Sequence, residues 1–175
     1  MPHVNPGYAR RMARIELPEG DAPEIERVWP LVPDLGQAVQ GLAGAVYSNP
    51  RLLPPRVREA ARMKIAHING CNVCMTWRIP ALAKAGVDED LYAHVDDPSN
   101  PVYSEAEGLA IEYADRYAND HRSIDDEFFA RMHAQWSDAE IFELTILIAN
   151  WLAFGRLTAV LDLDEACAWE PHAVG

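Results

Sequence analysis

Cysteine is scarce in this chain and basic charge is in deficit. Three cysteines in 175 residues cannot lace a domain together, which excludes a disulfide-stapled scaffold and leaves apolar burial to build the core. A chain of this length suffices for one such core. Fifteen Lys and Arg stand against 27 Asp and Glu, a formal charge of -12, and so acidic a surface excludes nucleic acid as the main partner. Long apolar runs are missing too: Ile146-Leu-Ile-Ala is closed by Asn150, whereas a bilayer span needs about 20 such residues, so no membrane is expected. The start, Met1-Pro-His-Val-Asn-Pro, has no apolar export core. A reducing cytoplasm is therefore the default location. Period-two alternation and internal repeats are absent as well, which leaves the all-α class, a compact bundle of about six to eight helices.

What is present punctuates that bundle. Residues 1–33 are rich in Pro and Gly and read as an irregular arm, with a short helix around Glu24 to Val28 that Pro30 and Pro33 end. A helical domain is expected over 34–165 and a tail over 166–175. Leu35, Val39, Leu42 and Val46 recur at helical spacing behind Asp34 as N-cap. Gly36, Gly41 and Gly44 in that helix imply the close approach of another. Ser48-Asn49-Pro50 is a turn, and Pro55 falls in the first turn of a helix whose stripe is Val57, Ala61, Ile65 and Ile68. Glu59 lies nearly opposite, beside Met63 and Ala66, and that second face calls for a cover from another subunit. Asp88 caps a short helix through His94. Ser104-Glu-Ala-Glu107 and Ser137-Asp-Ala-Glu140 are capping boxes; they open helices over about 105–119 and 138–161, with a shorter one over 125–135 between them. The last helix is apolar on nearly every side, which predicts a core face and an oligomer face.

Reactive chemistry is concentrated between Glu59 and Arg78. Asn69-Gly70 breaks one helix just before Cys71, so Cys71 and Cys74 fall in the first turn of the next, predicted to run through Trp77 toward Ala85. Free N–H groups and the helix dipole there favour thiolate, with cysteine pKa values lowered from about 8.5 toward roughly 3.5 to 7.5. Arg51, Arg56, Arg58, Arg62, Lys64, Arg78 and Lys84 surround the pair, with Glu59 the single acidic residue in that window. Such a basic island favours the same anion; the bland reading of these charges is solvated helix faces. Local electrostatics favour Cys71, nearer the helix start, as the anion.

Glu59 followed by Ile68-Asn-Gly-Cys71-x-x-Cys74, then Gly86-Val-Asp-Glu, Tyr103-Ser-Glu-x-Glu107 and Ser137-x-x-Glu140-x-x-x-Leu144 leading to Arg156, resembles the alkylhydroperoxidase D and carboxymuconolactone decarboxylase family. The resemblance covers roughly 35–165. It implies an all-helical subunit assembling into a dimer, trimer or hexamer. For the alkylhydroperoxidase D branch it implies a cysteine peroxidase without metal or haem, acting on an organic hydroperoxide and reduced by a thiol or lipoyl-type donor. Carried over, the redox-active pair is Cys71 and Cys74, with Cys74 attacking and Cys71 resolving, and Glu59 is the relay carboxylate. The pattern departs at Arg78, where the branch has histidine. Arginine cannot serve as a base; it can hold Cys74 as thiolate or receive an anionic substrate. His67, one turn before Cys71, is the substitute relay, its bland reading being a surface or intersubunit histidine.

Three other readings use the same residues. A lactone decarboxylase would bind a carboxylate with Arg78 and move protons with His67, but does not need the cysteine pair. A non-catalytic oligomer or redox sensor would keep the disulfide and lack turnover. A structural zinc site needs four ligands, and Cys167, His94 or His172 would have to complete it.

Overall fold

Ser104 and Ser137 cap two of the core-facing helices as their contexts predict. In the computed structural model, which describes residues 13–48 and 51–163, each serine Oγ accepts the N–H three residues on. Glu107 and Glu140 in turn accept from the N–H of their serine. Along the described chain run α1 Glu24–Arg27, α2 Pro33–Tyr47, α3 Pro55–Asn69, α4 Asn72–Thr76, α5 Glu89–Ala93, α6 Glu105–Asn119, α7 Asp126–Gln135 and α8 Asp138–Val160. Short 3₁₀ turns lie at Trp29–Leu31, Pro80–Ala85 and His121–Ser123. The described residues form no strand, as the all-α expectation requires.

The central element is α3. Its Val57, Ala61 and Ile65 pack against Leu109, Ala110, Tyr113 and Ala114 of α6 and against Ile141, Leu144, Leu147, Ile148 and Trp151 of α8. Its other face, Ala60, Met63 and Ala66, packs against Leu82, Val87, Leu91, Tyr92, Val95, Tyr103 and Ile111. The expected cover from another subunit is thus corrected: the chain after Gly70 folds back over α3 itself. Residues such as Met63 and Ile65, buried at 1% and 0% exposure, each contribute about 1.5–3 kcal/mol of apolar burial. A carboxylate holds the entry to α3 in place: Glu143 on α8 accepts the N–H groups of Leu52 and Leu53, at 3.1 and 3.2 Å.

The reactive helix is shorter than its apolar pattern suggested. Expected to reach Ala85, it stops at Thr76. Pro80 is the cause, because it has no N–H and forces the residue before it out of the helical region; Ile79 is extended, at φ -106 and ψ 99. The chain resumes as the 3₁₀ turn, and Gly86 ends it with φ 78.

Two further corrections concern α2. Pro33 begins the helix at its first turn rather than ending the preceding one, and Val32 rather than Asp34 is the N-cap. At Gly36 an added Cβ would meet the Trp29 carbonyl at 2.6 Å, so the close neighbour is a 3₁₀ turn; at Gly41 and Gly44 nothing lies within 4 Å. Most of α2 is exposed, Leu35 at 62%. The long α8 is, by length and apolarity alone, able to cross a membrane. Here Ile141, Leu144, Leu147, Ile148, Asn150, Trp151 and Gly155 are buried in the bundle, while its outer face leaves Phe142, Ile146 and Val160 exposed. Arg156 lies on that exposed side and lines a groove with Tyr117, Leu152, Ala153 and Leu157.

Candidate active site

The redox turn is made by a left-handed residue. Gly70 closes α3 at φ 62, a conformation only glycine adopts without strain, and the N–H groups of Gly70 and Cys71 close on the His67 and Ala66 carbonyls. Cys71 becomes the N-cap of α4, its Sγ accepting the Cys74 N–H at 3.2 Å. The two cysteines form a disulfide with Cα atoms 5.2 Å apart. Burial separates them: Cys71 is 3% exposed, while Cys74 is partly open.

The wall beside Cys74 is α8, and a glycine brings it there. A Cβ on Gly155 would stand 2.6 Å from Asn69 Nδ2 and 3.7 Å from Cys74 Sγ. Asn69 Nδ2 donates to the Trp151 and Leu152 carbonyls, at 3.1 and 3.4 Å, tying the end of α3 to α8. A glycine inside a helix costs about 1 kcal/mol against alanine, and that anomaly was the only sequence signal for this contact.

Behind the turn, Glu59 is buried, its Oε2 accepting from Arg62 Nε at 2.9 Å and from the Tyr92 hydroxyl at 2.8 Å. Arg62 also donates from Nη1 to the Cys74 carbonyl at 2.7 Å. Burial is the largest influence and works against its charge, but Glu59 together with Tyr47 and Tyr92 offsets it, so its pKa is raised. The guanidinium lies over the Trp77 ring, 5.4 Å from its centre, and Trp77 meets Tyr47 edge to face at 4.8 Å. Tyr92 and Tyr47 carry no local mark in the sequence, and Arg62 stood out there only as one charge of the basic island.

The same burial makes a pH prediction. Tyr47 is pushed up to about 12, first by burial, with Glu59 adding to the rise and Arg62 opposing it. Tyr103 is likewise pushed up to about 12 by burial, and Tyr92 rises still further, by burial and then by Glu59. In the unfolded chain each phenol ionises near pH 10, so their contribution to stability is intact below about pH 10 and is lost as pH climbs toward and through the folded values. Urea midpoints measured from pH 8 upward should hold until about pH 10 and then fall steadily. A flat profile there would show that the phenols ionise freely in the folded chain.

Three members of the basic island, Arg56, Lys64 and Arg78, pair with carboxylates from later in the chain. Arg56 Nε donates to Glu107 at 2.7 Å, and Arg56 also donates to the Gly86 carbonyl. Lys64 contacts Asp96 at 3.3 Å and Asp115 at 3.1 Å. Arg78 is paired with Glu89 through two bonds, at 2.7 and 2.9 Å, which hold Glu89 below the usual carboxylate range. Its Nη1 donates to the Met75 and Trp77 carbonyls, at 2.6 and 3.0 Å. His67 pairs through Nδ1 with Asp96 at 3.1 Å, in a depression of about 530 Å³ shared with Lys64, Met75 and Asp115. The structure therefore joins Cys71, Cys74 and Glu59 through Arg62, places Arg78 on the same turn, and sets His67 in a separate polar depression. Among the described residues no group of three His, Cys, Asp or Glu is arranged to hold a metal; Cys167 and His172 lie outside them.

Comparison with known proteins bears on this arrangement. Residues 33–95, from α2 through the redox turn to Val95, match the model of the carboxymuconolactone decarboxylase family. The chain is 27% identical over 138 residues to the uncharacterized protein YnjA of Escherichia coli, covering 78% of this chain and 76% of the other. It shares its fold with a crystal structure from Agrobacterium tumefaciens, described as a protein of unknown function and a candidate antioxidant defence protein AhpD. The TM-score is 0.66 at 22% identity, covering 86% of this chain and 96% of that one. The family match bears out the resemblance read from the sequence over residues 33–95, and the structural match bears out the all-helical fold.

Proposed function

We propose that this chain, related through residues 33–95 to the carboxymuconolactone decarboxylase family, is a dithiol peroxidase with an antioxidant role, like that ascribed to its Agrobacterium neighbour. The observation that carries this reading is the Cys71–Cys74 disulfide at the head of α4, with Cys71 a buried residue and Cys74 a partly exposed one. The open sulfur, Cys74, attacks the hydroperoxide O–O bond. It becomes a sulfenic acid, and the alkoxide leaves as the alcohol after taking a proton from water. Cys71 then attacks the sulfenic sulfur and expels water. Two thiols and one hydroperoxide thus yield a disulfide, an alcohol and water, and a two-electron thiol or lipoyl-type donor restores the pair. No metal or haem takes part, and a reducing cytoplasm suits the cycle.

Glu59 supports this chemistry as the buried counter-charge of Arg62, which anchors the Cys74 carbonyl. The test is to reduce the protein fully, add one equivalent of an organic hydroperoxide, and follow intact mass and thiol count. We expect the loss of one thiol pair far faster than that of free cysteine. Oxidation no faster than free cysteine would replace this reading with a redox sensor that forms the disulfide without turnover. The presence of arginine at position 78, which cannot act as a base and is paired with Glu89, favours that second reading.

The partner expected for the outer face of α8 is a second copy of this chain. Phe142 and Val160 are 66% and 56% exposed, and the α2 surface adds Leu35 and Leu42. A helix that is apolar on nearly every side calls for a cover over its outer face. Sedimentation should find a dimer, trimer or hexamer, and Phe142→Asp with Ile146→Asp should release folded monomer; a wild-type chain that sediments as a monomer would remove the expectation.

A further inference from the structure

We propose that Arg78 and Arg62 are positioning residues that clamp the carbonyl end of the redox turn and so set the reduction potential of the Cys71–Cys74 pair. The proposal rests on the dithiol reading above and gives Arg78 a task other than proton relay.

At five residues, α4 is too short to stand alone, and the carbonyls at its end have no partners within the helix. Two guanidinium groups supply them. From α3, Arg62 donates to the Cys74 carbonyl at 2.7 Å and to the Trp77 carbonyl at 3.4 Å. From the end of the turn, Arg78 donates to the Met75 carbonyl at 2.6 Å and to the Trp77 carbonyl at 3.0 Å. Each guanidinium is fixed in turn by a carboxylate, Arg62 by Glu59 and Arg78 by the two oxygens of Glu89. Both lie over the Tyr92 ring, Arg78 at 4.1 Å and Arg62 at 5.6 Å from its centre. The planar fork of arginine permits this simultaneous contact with carbonyls, a carboxylate and a ring; lysine offers a single point charge.

The consequence is thermodynamic. Reduction of the disulfide by a dithiol takes two electrons and two protons, breaks the S–S bond, and leaves the donor as a disulfide. Re-forming the bond costs whatever freedom the turn has acquired in the dithiol state. A turn held at both ends loses little, so its two thiols act at a high effective concentration and the disulfide is favoured. Releasing one arm of the clamp loosens the dithiol state and makes the pair easier to reduce. The Arg62 arm is buried in the core. The Arg78 arm is not: its side chain is 34% exposed and that of Glu89 75%, so this arm can be removed without opening the core.

The experiment equilibrates the full chain in buffers of reduced and oxidised dithiothreitol, quenches with acid, and alkylates in denaturant. Intact mass then separates the dithiol from the disulfide. We expect Arg78→Ala to shift the equilibrium about tenfold toward the dithiol, equivalent to about 30 mV. Glu89→Gln, which leaves the turn itself untouched, should shift it less and in the same direction. Arg131→Ala on α7, which removes a comparable ion pair with Glu112 of α6, should behave as wild type. Equal potentials for Arg78→Ala, Glu89→Gln and wild type would overturn the proposal. No peroxide enters this measurement, so a chain that fails to consume hydroperoxide can still show the shift, and one that consumes it can fail to.

Discussion

Cys74→Ser should abolish hydroperoxide-driven oxidation of the reduced protein, lowering the rate by on the order of 10²-fold or more, the scale on which loss of a reacting group is felt. Cys71→Ser should instead leave the first step intact. Cys71 is 3% exposed, and its Sγ is committed as the N-cap acceptor of the Cys74 N–H. Cys74 lies partly open against Gly155. A hydroperoxide can therefore reach Cys74 without opening the turn, whereas reaching Cys71 requires displacing its cap. The Cys71→Ser protein should accumulate a sulfenic acid on Cys74, seen as a 1,3-dione adduct by mass, and should form no intramolecular disulfide. The opposite pattern, with the adduct in Cys74→Ser, would give the attack to Cys71, the sulfur that helix-start electrostatics alone favour.

Arg62→Met should cost about 3–5 kcal/mol of stability, because it strands Glu59 as an unpaired buried charge. Both side chains of this pair are nearly inaccessible, at 3% and 4% exposure, with N···O at 2.9 Å, so solvent screens the charges little. In a chain of this size such a loss lowers the thermal midpoint by roughly 10 °C. The double replacement Glu59→Leu with Arg62→Met should recover most of the loss, since an apolar pair of similar volume avoids desolvating either charge. It should not recover the Cys74 anchor, because the donor to that carbonyl is gone. Urea unfolding of the two single variants and the double variant separates these effects; single losses that simply add would show that Glu59 and Arg62 are not each other's main partner.

How far the chain could be read in advance depended on the range over which each feature is determined. The capping boxes at Ser104 and Ser137, the stop at Gly70 and the cap at Asp88 involve residues at most three or four apart, and all formed as read. The over-long reactive helix was a local error, because Pro80 stood in the sequence and outweighed the apolar pattern after it. The basic island was limited differently. Arg62 pairs inside it with Glu59, but the carboxylate partners of Arg56, Lys64 and Arg78, namely Glu107, Asp96, Asp115 and Glu89, lie beyond residue 84, outside any window centred on the cysteines. Asn150 is buried in α8 with its Oδ1 unpaired among the described residues, and nothing in the structure explains it.

The amino-acid sequence alone determined the all-helical class, the caps at Asp88, Ser104 and Ser137, the cysteine pair at a helix start and the family resemblance. Each of these follows from backbone sterics and hydrogen bonding within a few residues, or from a motif held in one stretch. Tertiary structure alone decided that Tyr92, 33 positions from Glu59, holds that carboxylate, that Gly155 meets Cys74, and that Arg78 turns to Glu89. The reason is that a buried charge is stable only beside its partner, and which partner arrives depends on how α3, α5 and α8 pack.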